Sequence, residues 1–417
     1  MTYPICIFED NQSMHLHPLT FTIPVFDLRC GILSLREKVA KQFPQHPIIL
    51  FCRDYLKDLV EEENPDVPVN AIPDTEICLF INARVILNSE LSHIFKFSDE
   101  RVYLHNKQVI AAFLKKENIS EFVKKLKQSA DLSIDNVEQV EINNANVIRY
   151  PWDIVHHNPA EIVHDFEGFN QGGEINGKVS QYAVLENQNN IFIGSGASVK
   201  AGAILDAEDG PIYIGEGATI MHHAVIEGPA FIGRKSTIKI AAKIYEGTSI
   251  GDVCKVGGEV EESIIHAYSN KQHDGFLGHA YLGQWVNLGA DTNNSDLKNN
   301  YGNVKVYING EMVDSNSMFV GLTMGDHSKA GINTMFNTGT VVGAACNVFG
   351  AGFPPKYIPS FSWGGSDGLV EHHLDKAVAT ARQVMGRRKK ELTPVYETLL
   401  RKIFNLTQKE RKQFINR

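Results

Sequence analysis

The chain has 417 residues, 43% hydrophobic and 21% charged, with a formal net charge of −9. That length calls for two or three domains, and the acidic balance argues against general nucleic-acid binding, which needs a basic face. No apolar run reaches the roughly 18 residues of a membrane helix, the N-terminus MTYPICIFEDNQ has no signal-peptide pattern, and the six scattered cysteines form no C-x-x-C pair, so a reducing, cytoplasmic setting without membrane insertion is expected.

Residues 1–150 alternate strand and helix patterns. Pro4–Phe8 reads as a short apolar strand, and Leu33–Gln42 has helical spacing with Leu35 and Val39 on one face. Ile48–Cys52 and Ile77–Ile81 are compact apolar runs of the kind found in buried parallel strands. A helix follows at Ile119–Gln128. This alternation predicts a doubly wound or related α/β layer. Residues 151–173 are expected to form a linker helix within Tyr150–Gln171, ended by Gly172 and Gly173.

Residues 174–352 carry a different period. Ile214, Ile220, Ile226, Ile232, Ile238, Ile244, Ile250 and Val256 recur at every sixth position, and Gly215, Gly233, Gly251 and Gly257 follow four of them. Six fits neither a helix nor a free strand. It marks a parallel β-helix built from hexapeptide steps, each with one aliphatic pointing into a prism. Such a prism has no deep interior pocket, so chemistry must sit on its outer faces or between subunits. The step from Leu205 to Ile214 is longer, and AEDGP is read as a bulging loop. After Val256 the period fails and recovers locally at Leu282 and Leu288, while the polar stretch Asp291–Gly302 is read as a long loop thrown off the prism. Residues 353–417 leave through proline and glycine into helices: one from about Gly368 with a Val370, Leu374, Val378, Ala381 stripe, a second over Pro394–Phe404 and a third near Thr407. The basic run Arg387–Lys390 is read as a solvated helix end, and the pairs His156-His157, His222-His223 and His372-His373 as structural histidines.

The segment SNKQHDGFLGHAYLGQWVNL (269–288) concentrates chemistry. His279 stands between Gly278 and Gly283, where backbone can approach a substrate, and neutral imidazole is the usual general base near neutral pH. Tyr281 and Asn287 can hydrogen-bond a sugar phosphate or an amide. A surface histidine on a turn is the competing reading.

GHAYLG, then VNLGA, then a loop ending in NNYG resemble the acetyltransferase half of the bifunctional N-acetylglucosamine-1-phosphate uridyltransferase/glucosamine-1-phosphate acetyltransferase family. The likeness is closer still to an alternative form with a short, divergent sugar nucleotidyltransferase-like N-terminal domain. It covers residues 170–350, together with GDHSKAGINTMFNTG and the exit FPPKYIPSFSWGG. The resemblance implies an α/β nucleotidyltransferase-like domain, a left-handed parallel β-helix with a C-terminal helical tail, and a homotrimer; the period alone does not fix the handedness. It also implies acetyl-CoA as acyl donor and His279 as base, with Tyr281, Asn300 and Tyr301 on the sugar phosphate and backbone near Gly321, Ala330 and Gly331 along the cofactor. The family's basic pair before the histidine is replaced by GGEVEES, which leaves Lys243, Lys298 or Lys305 to supply charge. Asp291 replaces the last glycine of the family's V-N-I-G-A-G.

In the first domain, Pro18-Leu19-Thr20 and Pro24 fit the later part of a nucleotidyltransferase opening, but DNQSMH holds no glycine to cradle phosphates and Val25 stands where a lysine is expected. The family's metal aspartate falls in FINARV, occupied here by Asn82 and Arg84. Thr20, Asp27, Arg29, Asn82 and Arg84 are the candidate nucleotidyl residues, Arg29 binding phosphate or pairing with Asp27. Asp10 and Asp153 are the candidates for a Mg²⁺ carboxylate.

The reading is a sugar-nucleotide enzyme. It N-acetylates an amino-sugar 1-phosphate from acetyl-CoA and transfers a nucleotidyl group from UTP or dTTP to a sugar 1-phosphate. Two alternatives stay open: a nucleotidyltransferase whose β-helix only trimerises, and a non-catalytic sugar-nucleotide-binding regulator.

Overall fold

The computed structural model describes residues 2–95 and 99–415. It divides into two compact units. Residues 1–16, 22–28 and 33–150 form one, and residues 17–21, 29–32 and 151–417 form the other.

The first unit is built on a six-stranded mixed sheet. Its strands are β1 (Ile5–Phe8), β2 (Ile48–Phe51), β3 (Ile77–Asn82), β4 (Arg101–His105), β5 (Gln108–Lys115) and β6 (Glu138–Glu141), in the order β2-β1-β3-β5-β4-β6. β1 runs parallel to both β2, at the sheet edge, and β3, and the residues of all three are largely buried, which explains their unbroken hydrophobicity. β3–β5 and β5–β4 are antiparallel. The sheet is therefore mixed, where strand–helix alternation alone suggested winding in parallel. The helices are α1 (Leu35–Gln42), α2 (Lys57–Glu63), α3 (Ser89–Ile94) and α4 (Lys116–Lys127). α1 opens on a capping box between Ser34 and Glu37. α4 buries Ile119, Phe122 and Val123, which join Phe8, Phe80 and Ala112 in one core.

The second unit is a three-sided parallel β-helix. Its first face runs from Lys178–Val179 to Asn270–Lys271, its second from Val184–Glu186 to Phe276–Gly278, and its third through nine strands from Ile191–Ile193 to Tyr357–Ile358. Ile214, Ile232 and Ile250 stack on the third face, Ile220, Ile238 and Val256 on the first, and Ile226 and Ile244 on the second. All eight are at most 1% exposed. Each such aliphatic contributes about 1.5–3 kcal/mol of burial, so the period is the core itself.

The period fails after Val256 because the coils shorten: Ile226 stacks under Ile244, 18 residues on, but Ile244 stacks under Val260, 16 on, and Ile250 under Ile265, 15 on. Lys271 stands in the inward register beside Val256, 1% exposed, with its ammonium donating to the carbonyls of Gly257 (2.9 Å) and His273 (3.0 Å). Burial lowers its pKa to about 8.

Asn293–Asn294 still pairs in parallel with Met335–Phe336, so the polar excursion begins after Asn294, later than the sequence suggests. It includes an antiparallel hairpin of Lys305–Ile308 with Glu311–Asp314. α5 (Pro151–Phe169) packs on the prism through Asn158, which donates to the Gly247 carbonyl (2.8 Å) and accepts from Gly31 N (2.7 Å) and Ser249 Oγ (3.1 Å). At the far end Gly368–Glu371 is a strand antiparallel to Ser362–Gly365, with Val370 59% exposed, where a helical stripe was expected. α6 (Leu374–Gly386), α7 (Pro394–Leu406) and α8 (Gln408–Phe414) complete the unit.

Candidate functional site

Successive coils turn from the second face to the third through residues in the left-handed region. Gly247 (φ 68°), Glu262 (φ 37°) and His279 (φ 44°) occupy equivalent rungs of this corner. The rungs are tied by backbone bonds from Glu262 N to Glu246 O (3.2 Å), His279 N to Glu261 O (3.2 Å) and Gly321 N to His279 O (3.0 Å). The same conformation recurs at other coil corners, among them Lys235, Ala241, Val253, Tyr268 and Trp285, so it belongs to the coil geometry. The stacking sets Glu262 directly against His279.

His279 is 8% exposed and held from both ring nitrogens. Nδ1 lies 2.8 Å from Asp296 Oδ2 and Nε2 3.2 Å from Glu262 Oε2. Phe319 stacks on the ring at 4.9 Å, and the His156 ring on α5 meets it edge-on at 6.4 Å. Burial alone would push the imidazole down, but the bonds to Asp296 and Glu262 outweigh it and raise the pKa to about 9. The same bond to His279 lowers the Glu262 pKa, and burial raises that of Glu261. The resting site is an imidazolium between two carboxylates. Glu262, Asp296, Phe319 and His156 were missed as partners; the signal for the first was GGEVEES, visible only as acids in place of a basic pair.

The other candidates disperse. Tyr281 is 1% exposed, and its hydroxyl accepts from Arg29 N (3.1 Å) and lies 3.3 Å from His266 Nδ1, so it is bonded inside the protein rather than turned to a sugar. Asn287 is a bridge residue on the first face, beside Asn270 and Lys329. Asn300 accepts from Gly302 N (3.1 Å) and closes its own loop, and Tyr301 is 68% exposed beside it. Lys298 bonds the Asn303 carbonyl, and Lys243 pairs with Glu259 at 3.1 Å on the second face.

Gly321 does stand on the His279 rung. A Cβ there would lie 1.9 Å from the Gly278 carbonyl oxygen, so only glycine allows the coils to close up. Its amide is taken by His279 O, the Ala330 amide by Asn287 O (2.9 Å) and the Gly331 amide by Val348 O (2.7 Å). These amides are used in coil stacking. Ala330 and Gly331 also belong with the strand that pairs with Asn347–Val348, away from the His279 corner.

In the first unit, the acids after β1 are each held by an arginine. Arg53 grips Glu9 through Nε and Nη2 at 3.0 Å each. Arg84, fully buried, grips Asp10 through Nε (2.9 Å) and Nη2 (2.5 Å), and Asn82 donates to the same carboxylate at 2.9 Å. Cavities of about 210 and 230 Å³ flank this strand end, lined by Asp10, Asn11 and Gln12 with Lys107 and Gln108 on one side and Arg53 on the other. The C-terminal ends of parallel strands are where open α/β sheets take ligands. Asp27 pairs with Arg36 at 2.7 Å, and burial outweighs that arginine to raise its pKa to about 7. Asp27 therefore does not pair with Arg29. Arg29, like Thr20, belongs to the second unit, where its guanidinium lies over Phe231 at 4.9 Å.

Residues 5–174 match the sugar nucleotidyl transferase family. The match takes in nearly all of the first unit together with α5. The chain is also similar to the bifunctional protein GlmU of Prochlorococcus marinus (strain MIT 9313), at 28% identity over 170 residues, 40% of this chain and 33% of that protein. GlmU of Acidithiobacillus ferrooxidans (strain ATCC 53993) matches at 38% over 105 residues, 24% of this chain and 22% of that protein. A bifunctional sugar-1-phosphate nucleotidylyltransferase/acetyltransferase of Sulfurisphaera tokodaii matches at 31% over 97 residues, 23% of this chain and 24% of that protein. The chain thus spans about a third or less of the length of these relatives. A solved UDP-N-acetylglucosamine acyltransferase from Campylobacter jejuni covers 57% of this chain and 82% of its own, at 14% identity and a TM-score of 0.21, too low to bear on fold or function.

The Mg²⁺ implied for a sugar nucleotidyl transferase domain does not fit these residues. The Asp10 carboxylate is saturated by Arg84 and Asn82, and Asp153 lies on α5 of the other unit. Among the described residues no group of three or more His, Cys, Asp or Glu side chains could hold a metal.

Proposed function

We propose that this chain is a transferase of sugar-nucleotide biosynthesis that N-acetylates an amino-sugar 1-phosphate from acetyl-CoA at His279. The observation carrying the proposal is the imidazole fixed by Asp296 on Nδ1 and by Glu262 on Nε2. An amino sugar arrives with its amine largely protonated. Glu262, whose side chain is 31% exposed, is positioned to take that ammonium in exchange for the imidazole. Loss of the Glu262 bond removes one of the two interactions that raise the imidazole, so the imidazolium gives its Nε2 proton to solvent, and the ammonium's first proton also passes through Glu262 to solvent. Nε2 then becomes an acceptor, with Nδ1–H held by Asp296 in the productive tautomer. As the amine attacks the acetyl carbon, Nε2 takes its second proton, the C–N bond forms and the C–S bond breaks. The proton passes to the departing thiolate, releasing CoA.

The proposal assigns the first domain to nucleotidyl transfer from UTP or dTTP to a sugar 1-phosphate. Its support is the family match over residues 5–174 and the cavities at the end of β1. A homotrimer and a cytoplasmic location complete the proposal, on the likeness to GlmU. No helix among the described residues is long and apolar enough to cross a membrane.

The test is thiol release from acetyl-CoA with glucosamine 1-phosphate and a panel of other amino-sugar phosphates, for the wild type and His279→Ala. We expect release that needs both sugar and His279, with the variant slower by roughly 10²–10⁴-fold. No release across the panel, or release unchanged in His279→Ala, would return the prism to the role of scaffold.

A further inference from the structure

A cavity of about 390 Å³ in the second unit lies on the first face of the prism, under the C-terminal end of α6. His279 sits in the turn between Phe276–Gly278 and Tyr281–Gln284, on the opposite corner of the coil from this face. The cavity floor carries Lys255 and Lys329, and Arg387 and Arg388 close over it from the helix end. Arg388 Nη2 donates to Asn270 Oδ1 at 2.8 Å. Lys329 Nζ donates to the carbonyls of Trp285 (3.1 Å) and His327 (2.6 Å). No acidic residue lines the cavity, in a chain whose net charge is −9.

Cations at a helix C-terminus complement its dipole, which accounts for Arg387 and Arg388 by themselves. It does not account for their convergence with two lysines from separate coils. Lys255 is held below its ordinary range by burial and then by repulsion from Arg388, Lys239 and Arg387, and burial lowers Lys329 to about 8. Charge gathered this way is costly unless an anion of matching charge completes it. Guanidinium groups favour the paired oxygens of phosphates, and a lysine supplies a point charge beside them.

We propose that this cavity binds the pyrophosphate group of a nucleotide or of free pyrophosphate. The site stands apart from the His279 reading and does not depend on it. Four cations converge from two directions, as linked phosphates require, and the volume leaves room for an attached nucleoside.

The test is calorimetric titration of the full chain with pyrophosphate, UDP, ADP and inorganic phosphate, with Trp285 fluorescence as a second readout. The pyrophosphate-bearing ligands should bind more tightly than inorganic phosphate, and binding should weaken as salt is raised. Affinity should fall roughly tenfold or more in Arg387→Gln/Arg388→Gln and, separately, in Lys255→Gln, while His279→Ala binds as the wild type does. If the double variant fails to fold, Lys255→Gln decides. UDP or ADP binding above pyrophosphate identifies a nucleotide as the source, and equal affinities identify free pyrophosphate. No binding at millimolar ligand, phosphate binding as tight as pyrophosphate, or affinity unchanged in Lys255→Gln would overturn the proposal, whatever the fate of acetyl transfer.

Discussion

At the His279 corner two carboxylates face a cation that can give up its charge; at the end of β1 the Asp10 carboxylate faces one that cannot. An imidazole moved to about 9 by Asp296 and Glu262 remains within reach of a substrate that competes for Glu262. A guanidinium is not a titrating partner in proteins, and the two bonds from Arg84 to Asp10 are fully buried on the arginine side. The same side-chain class therefore prepares a proton acceptor in one region and makes a fixed ion pair in the other. What separates them is the partner's ability to titrate and the exposure of Glu262.

The comparison can be broken most strongly at Asp296. Asp296→Asn keeps the shape but loses the charge that orients Nδ1–H. Acetyl transfer should fall by roughly 10²–10⁴-fold in kcat with little change in KM, measured by thiol release. A fall confined to KM would move Asp296 from orienting the base to holding the sugar. The counterpart in the first unit is Asp10→Ala, which strands a buried arginine. It should cost about 3–5 kcal/mol in denaturant unfolding of that unit, and a cost under about 1 kcal/mol would show that the Asp10–Arg84 pair is not what fixes the strand end. The smallest effect is expected at Lys243, paired with Glu259 on an exposed face. Lys243→Gln should change stability by under about 1 kcal/mol and leave the KM for the sugar phosphate unchanged; a large rise in KM would place the phosphate on the second face.

The prism was legible because Ile214 to Val256 each meet one constraint, a single inward position per face. Where the coils shorten after Val256, and where Lys271 meets that constraint, the six-residue pattern loses it, although the coil continues. In the first unit β1, β2 and β3 were legible as apolar runs, whereas the β4–β5 hairpin was not. Its tight turn uses Asn106 (φ 49°) and Lys107 (φ 64°), two left-handed residues without the glycine that usually signals such a turn. His279 was recognisable from its motif. Its neighbours were not, because Glu262 reaches it through coil stacking, Asp296 through the start of the excursion and His156 from a helix more than a hundred residues earlier. Tyr281 misled in the opposite sense: its motif position is right, but its hydroxyl is taken by Arg29 and His266. Arg29 was read with Asp27 because they are near in sequence, yet Asp27 is matched by Arg36.

The central claim is that His279 rests as an imidazolium and is released as a base when an amine takes Glu262. Its most direct test is an NMR titration of the His279 ring, assigned with His279→Ala, in the presence and absence of glucosamine 1-phosphate. The account predicts a midpoint near 9 in the free protein, moving down when the amino sugar binds and staying in place with glucose 1-phosphate, which has no amine. A midpoint near the ordinary 6.5 that ignores both sugars would contradict it.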